Sequence, residues 1–162
     1  LGETRDELGG SEWFAKQGAI GNKVPQVEAK TAMKLYRALN KAIRAGLVAS
    51  CHDCSDGGLA VALAETAFAG GLGLNVDLKD VPYRGKKRDD YILFSESASR
   101  FVVTIHPQNK DKFEKLMKGN ILGEIGLVTN NRVLQVSGLS GKTVIKEKID
   151  TLKSAWQKPL NF

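Results

Sequence analysis

Hydrophobic and polar positions alternate from Leu72 to Leu78, with Leu72, Leu74, Val76 and Leu78 set against Gly73, Asn75 and Asp77. A period of two predicts a half-buried strand. The period is helical over 26–45, where Ala32, Tyr36, Leu39 and Ile43 form an apolar stripe. Lys30, Lys34, Arg37, Lys41 and Arg44 form a basic face on the same segment, and Gly46 is placed to cap its C-terminus. Residues 59–68 are apolar on nearly all sides, broken by Glu65 and Thr66. Their alanine content predicts a buried helix, ended by Gly70 and Gly71. The runs 47–51 and 101–105 predict buried strands. Residues 91–94 fit a helical turn or a strand equally well. Pro107 sits at a natural first helical position, with Phe113, Leu116 and Met117 inward and Gly119 as the stop. Residues 121–128 and 132–136 flank Thr129-Asn130-Asn131, which predicts a hairpin. Residues 145–156 predict a last helix with Ile149, Leu152 and Trp156 inward.

The remaining segments predict loops. Residues 1–25 hold Gly2, Gly9, Gly10, Gly18 and Gly21, and then Pro25. Leu1 to Thr4 fit the end of a strand that begins upstream, and Ser11 fits an N-cap. Lys79 to Asp90, "KDVPYRGKKRDD", reads as a polar, mobile loop. The sum is one α/β (α+β) domain over 1–162, a mixed β-sheet covered by helices.

Bulk numbers narrow the class. An apolar share of 42% is ordinary for a globular domain, and no apolar run reaches the length of a membrane span. Lys and Arg total 24 against 18 Asp and Glu, giving a net charge of +6. That suits an acidic small molecule or partner. Without an aromatic RNA-binding signature, the basic face of 26–45 reads as a solvated helix face, so no nucleic acid and no membrane are expected. The chain opens on Leu1-Gly2-Glu3-Thr4 without a methionine, which reads as a domain of a longer polypeptide.

Chemistry concentrates in three places. "SCHDCSDGGL", Ser50 to Leu59, holds both cysteines and one of two histidines. The C-x-x-C spacing of Cys51 and Cys54 suits a redox pair or half a zinc site. Asp53 and Asp56 oppose a reactive thiolate, and too few further ligands exist for zinc. Reduced, mostly buried thiols are expected. Two readings of the loop stand side by side. In one, Ser55 or Asp56 caps the following helix and Gly57-Gly58 let the chain turn. In the other, the helix N-terminus attracts phosphate and Asp53 holds Mg²⁺. "FSESASRF", Phe94 to Phe101, reads either as a turn with Glu96 and Arg100 paired on the surface, or as a ligand loop. "ETRDELGGS", Glu3 to Ser11, is alone an ordinary loop.

Together, "LGETRDELGGSEW", "HDCSDGGLAVALAETAFAGGLG" and "LFSESASRFVV" resemble the phosphoribosylformylglycinamidine synthase family. The resemblance is to the last domain of the large, synthetase subunit, and "GEIGLVTNNRVLQV" fits the same domain. It implies a C-terminal-type domain of the aminoimidazole ribonucleotide synthetase superfamily. It implies a ligase part that works in purine biosynthesis in the cytoplasm. The family's ATP-dependent reaction joins ammonia from glutamine to formylglycinamide ribonucleotide, making the amidine. The implied partners are an ATP-binding companion domain of the same chain, a glutaminase subunit and a small accessory subunit. Mg²⁺ and ATP or ADP are the implied cofactors, shared with the companion, so the isolated domain is expected to be inactive. By motif, Asp53 matches the metal position, and Ser55, Gly57 and Gly58 match the nucleotide loop. Ser95, Glu96, Ser97 and Arg100 match a substrate loop, although Ala98 and Ser99 stand where the commoner form has Gln-Glu. The alternatives are a structural or assembly domain with an auxiliary, unhydrolysed nucleotide, or the same domain of a related ATP-dependent synthetase.

Overall fold

The computed structural model describes residues 1–160. One helix organises the core. Helix α3 (Gly58–Gly70) is apolar on most sides and largely enclosed, with Leu59, Ala60, Ala62, Leu63 and Ala67 buried and Val61, Ala64, Glu65, Thr66 and Phe68 half-buried. Against it lies a four-stranded sheet of β6 (Gly126–Thr129), β3 (Gly73–Asp77), β7 (Val133–Ser137) and β8 (Thr143–Lys148), in that order. The alternation read in the sequence holds at Leu74 and Val76, which point into the core, and at Asn75, which is exposed; Leu72 lies before the strand and is exposed, and Gly73 is buried. Helices α4 (Asp89–Phe94) and α6 (Ile149–Gln157) complete the enclosure through Ile92, Leu93 and Ile149.

A second, smaller core lies under α2 (Ala29–Arg44), where Leu35, Leu39 and Ala42 meet Leu47 and the Phe113 and Met117 side chains of α5 (Lys110–Met117). The buried stripe is Ala32, Leu35, Leu39 and Ala42, with Tyr36 and Ile43 exposed beside it. The basic face is fully exposed.

The remaining strands form two pairs. β1 (Thr4–Arg5) runs parallel to β4 (Tyr83–Arg84), and β2 (Ser50–Asp53) runs antiparallel to β5 (Phe101–Thr104). The mixed sheet is thus one four-stranded piece, in which β3 and β7 are the parallel pair, plus two short ones.

Several expectations need correction. β6 and β7 do not form a hairpin, because β3 lies between them, antiparallel to β6 and parallel to β7. The connection through Asn130 and Asn131 arches over the start of β3, where a side chain on Gly73 would strike Asn131, Thr129 and Val133. The hairpin belongs to β7 and β8, joined through the turn that closes Gly138 onto Lys142. The last helix begins at Ile149, and Ile145 to Lys148 extend β8 instead. β2 starts at Ser50, later than read, and is largely exposed. The 79–90 segment is tied down, since Asp6 accepts from the Lys86 amide and from the Tyr83 hydroxyl, and β4 pairs with β1.

Candidate functional site

The fold gathers the three polar clusters into one place. β2 delivers Asp53 to the end of the two-stranded sheet, and the chain then bends into α3. The bend uses two left-handed glycines, Gly57 at φ +76 and Gly58 at φ +65. A side chain at Gly58 would collide with the Ser95 carbonyl, so the loop and the 95–100 segment are in backbone contact there.

The helix start is capped by neither Ser55 nor Asp56. Glu96 Oε1 accepts from the Gly57 amide at 2.8 Å and from the Glu12 amide at 3.0 Å. One carboxylate oxygen therefore joins the first turns of α1 (Glu12–Lys16) and α3. The second end of that join is Ser11, which caps α1 by accepting from the Phe14 amide at 3.2 Å. A negative charge at two helix starts is favourable for both dipoles.

The 95–100 segment is a structural knot. Ser95, Ser97 and Arg100 are 0%, 1% and 3% exposed. Ser95 Oγ accepts from the Glu7 amide at 3.1 Å and donates to the Arg5 carbonyl at 2.5 Å. Ser97 Oγ accepts from the Arg5 amide at 3.0 Å. Arg100 does not pair with Glu96 on the surface. Its guanidinium donates to the Ser97 carbonyl at 2.8 Å, to Thr4 Oγ1 at 2.9 Å and to the Ser95 carbonyl at 2.5 Å. Burial pushes its pKa down, yet a guanidinium stays charged in proteins. The hydroxyls and the arginine thus fasten residues 4–7 to residues 95–100.

The outward face belongs to β2 and the loop after it. The Asp53 side chain is 61% exposed. Ser55 Oγ donates to Asp53 Oδ2 at 2.5 Å, and this bond is the main cause holding the Asp53 carboxyl below its ordinary value. His52 Nε2 lies 2.7 Å from Glu65 Oε2, and the other oxygen of Glu65 accepts from Trp156 Nε1 at 2.8 Å. These contacts tie β2 to α3 and α6. Cys54 is buried and Cys51 exposed; both are free, and burial raises the pKa of each thiol. The expectation of buried thiols therefore holds for Cys54 alone.

One carboxylate of the loop could give an oxygen to a metal ion. Among the described residues there is no group of three or more His, Cys, Asp or Glu placed to hold an ion. Asp53 offers a single exposed carboxylate, which is what Mg²⁺ takes from a protein when phosphate and water supply the rest. Gly57 and Gly58 are buried, and the Gly57 amide is already bonded to Glu96. Asp53, Ser55 and Asp56 are therefore the exposed members of the loop. Glu96 as a helix cap was not legible beforehand, since its partners stand 39 and 84 residues away.

Comparison with known proteins gives a consistent picture. A profile of the family "AIR synthase related protein, C-terminal domain" matches residues 1–138. The phosphoribosylformylglycinamidine synthase subunit PurL of Alkaliphilus metalliredigens is 39% identical over 160 residues, which is 97% of this chain and 21% of that protein. This chain therefore spans about a fifth of the length of such relatives. Among solved structures, T. maritima PurL complexed with FGAR superposes with a TM-score of 0.73 at 25% identity, over 84% of this chain and 23% of that one. Structures of T. maritima PurL complexed with ATP, and of PurLQS, each match 93% of this chain and 24% of theirs at 24% identity, with TM-scores of 0.71 and 0.73.

Proposed function

The chain belongs to the family of AIR-synthase-related C-terminal domains, and from that premise we propose that it is the last domain of a PurL-type phosphoribosylformylglycinamidine synthase. The observation that carries the reading is the convergence of the three motifs on one frame, with Asp53, Ser55 and Asp56 of the loop facing outward and Ser55 bonded to Asp53. In this reading the domain contributes to a Mg-nucleotide site whose larger part lies on a companion domain. Mg²⁺, when bound, neutralises phosphate charge. Asp53 supplies one oxygen to it. Ser55 orients that carboxylate through its 2.5 Å hydrogen bond. Gly57 and Gly58 set the bend that brings the loop outward. Ser95, Glu96, Ser97 and Arg100 serve substrate by positioning, since they lock residues 4–7 and the start of α3 into one body. The reaction is ATP-dependent C–N bond formation on formylglycinamide ribonucleotide, with ammonia from a glutaminase subunit and a small accessory subunit in the assembly. The 162-residue chain alone is inactive.

The test is Asp53→Ala in the intact synthetase, read by amidine formation with ATP and ammonia, and by bound nucleotide after gel filtration. Turnover falls while the assembly stays intact. A second reading, an auxiliary nucleotide that is never hydrolysed, is favoured by the Glu96 carboxylate on the Gly57 amide, where a phosphate would otherwise lie. It is upheld instead if Asp53→Ala keeps turnover per assembled enzyme but loses nucleotide and assembly. Amidine formation by the 162-residue chain alone would sink the shared-site reading.

A further inference from the structure

Helix α2 carries a charge pattern that its packing does not account for. It holds Lys30, Lys34, Arg37, Lys41 and Arg44 and no carboxylate, against a net charge of +6 for the whole chain. All five cations are exposed, and none is in an ion pair among the described residues. Lys34 donates to the Gly119 carbonyl. At 3.6 residues per turn the five fall within an arc of about 80° and run for about 20 Å along the helix. The arc lies opposite the buried row of Ala32, Leu35, Leu39 and Ala42.

Local electrostatics works against this arrangement. Successive cations stand three or four residues apart, so each repels the next on the helix surface. Lys30 lies in the first turn, where the dipole favours a carboxylate and the helix has none. A solvated face needs only polarity, and mixed signs supply that without repulsion. A single-sign stripe kept against these effects is suited to an opposite charge brought from outside.

An apolar ridge flanks the stripe. Met33, Tyr36 and Ile43 lie between the cations and the buried row along one side, and are 47%, 38% and 47% exposed. Tyr36 is held in place. Its hydroxyl shares a 2.7 Å hydrogen bond with Ser99 Oγ, and its ring meets Phe101 edge-on with centroids 5.7 Å apart. An aromatic ring fixed before contact loses little freedom on binding. Met, Tyr and Arg are enriched in protein interfaces, whereas a phosphate backbone is met by cations and needs no such ridge. A second copy is disfavoured, because a two-fold contact on this face sets two basic stripes against each other.

We propose that the α2 face docks a different protein through an acidic surface, one that presents a row of carboxylates beside an apolar ridge. Met33, Tyr36 and Ile43 anchor the partner and the cations steer it, so the two features act on different rates. The proposal is independent of the Asp53 loop, which β2 and α3 carry.

The test uses the full-length polypeptide. The probe is a fluorescent helical peptide with glutamates three and four residues apart on one face and leucines beside them. Stopped-flow mixing gives saturable binding to the parent. Association slows at least about tenfold in the triple variant Lys34→Glu, Arg37→Glu, Lys41→Glu. The same peptide with lysine for glutamate binds that variant instead. Met33→Ser with Ile43→Ser leaves association nearly as fast and raises the dissociation rate at least about fivefold. Unfolding midpoints no lower than the parent's show that both variants are folded. No binding to the parent overturns the proposal and leaves the face solvated. Dissociation unchanged by the serine pair also overturns it, because the stripe then attracts any polyanion. Tighter binding of a single-stranded RNA of equal charge assigns the face to nucleic acid, which overturns it as well.

Discussion

The Glu96 carboxylate lies 2.8 Å from the Gly57 amide and so closes the N-terminus of the central helix. Because the same oxygen holds the Glu12 amide, removing it frees two helix starts at once. Glu96→Ala is expected to cost about 1–2 kcal/mol in urea unfolding. Glu96→Gln keeps an acceptor and costs about half as much. Equal stability of the alanine variant and the parent would refute the cap.

Arg100 is the more severe test of the frame. Its three donors meet two carbonyls and the Thr4 hydroxyl in a buried setting. Arg100→Ala leaves those acceptors without donors and should cost about 3 kcal/mol or more, enough to lower the unfolding midpoint sharply. Thr4→Val removes one acceptor and costs about 1 kcal/mol.

Two glycines separate backbone strain from steric collision. Gly46 and Gly58 have nearly the same φ, +67 and +65, but a side chain at Gly46 meets open space while one at Gly58 meets the Ser95 carbonyl. Gly46→Ala is expected to cost about 1 kcal/mol. Gly58→Ala carries that strain plus the collision, for a total above about 2 kcal/mol. Denaturant midpoints give the comparison.

The Ser55–Asp53 bond makes a signed pH prediction. Ser55→Ala raises the Asp53 carboxyl toward its ordinary 3.8, measured by NMR titration of the side-chain carbon. A depressed folded-state value stabilises the fold above the unfolded pKa, and this is lost as pH falls through the folded one. The stability gap between parent and variant is therefore present at neutral pH and closes in acid. An unchanged Asp53 titration would show that Ser55 does not hold the carboxylate.

The parts of this fold that follow from local chemistry were legible in the sequence. The period of two at Leu74 and Val76, the apolar Leu59–Phe68 run and the Ser11 cap each depend on neighbours within a few residues. So does the bend at Gly57-Gly58. What escaped depends on distant partners. Thr129-Asn130-Asn131 has good hairpin composition, yet turn residues do not say whether a third strand comes between. Ile145 to Lys148 fit a helical stripe as well as a strand, and only pairing with β7 decided for the strand. Ser95 and Ser97 look like ligand hydroxyls in sequence, but the amides and carbonyls of residues 5 and 7 use them.

The arch over Gly73 has a kinetic consequence. β6 and β7 are near neighbours in sequence but cannot zip together, because β3 must first be laid between them. Closing the β3–β6 register spans more than fifty residues, from Gly73 to Thr129, before any rung between those two strands is secured. Non-local pairing of this kind slows folding. The β7–β8 hairpin, by contrast, closes locally through Gly138 and Lys142. We expect it to form early and to wait as a template, with the insertion of β3 setting the pace at which the domain is made.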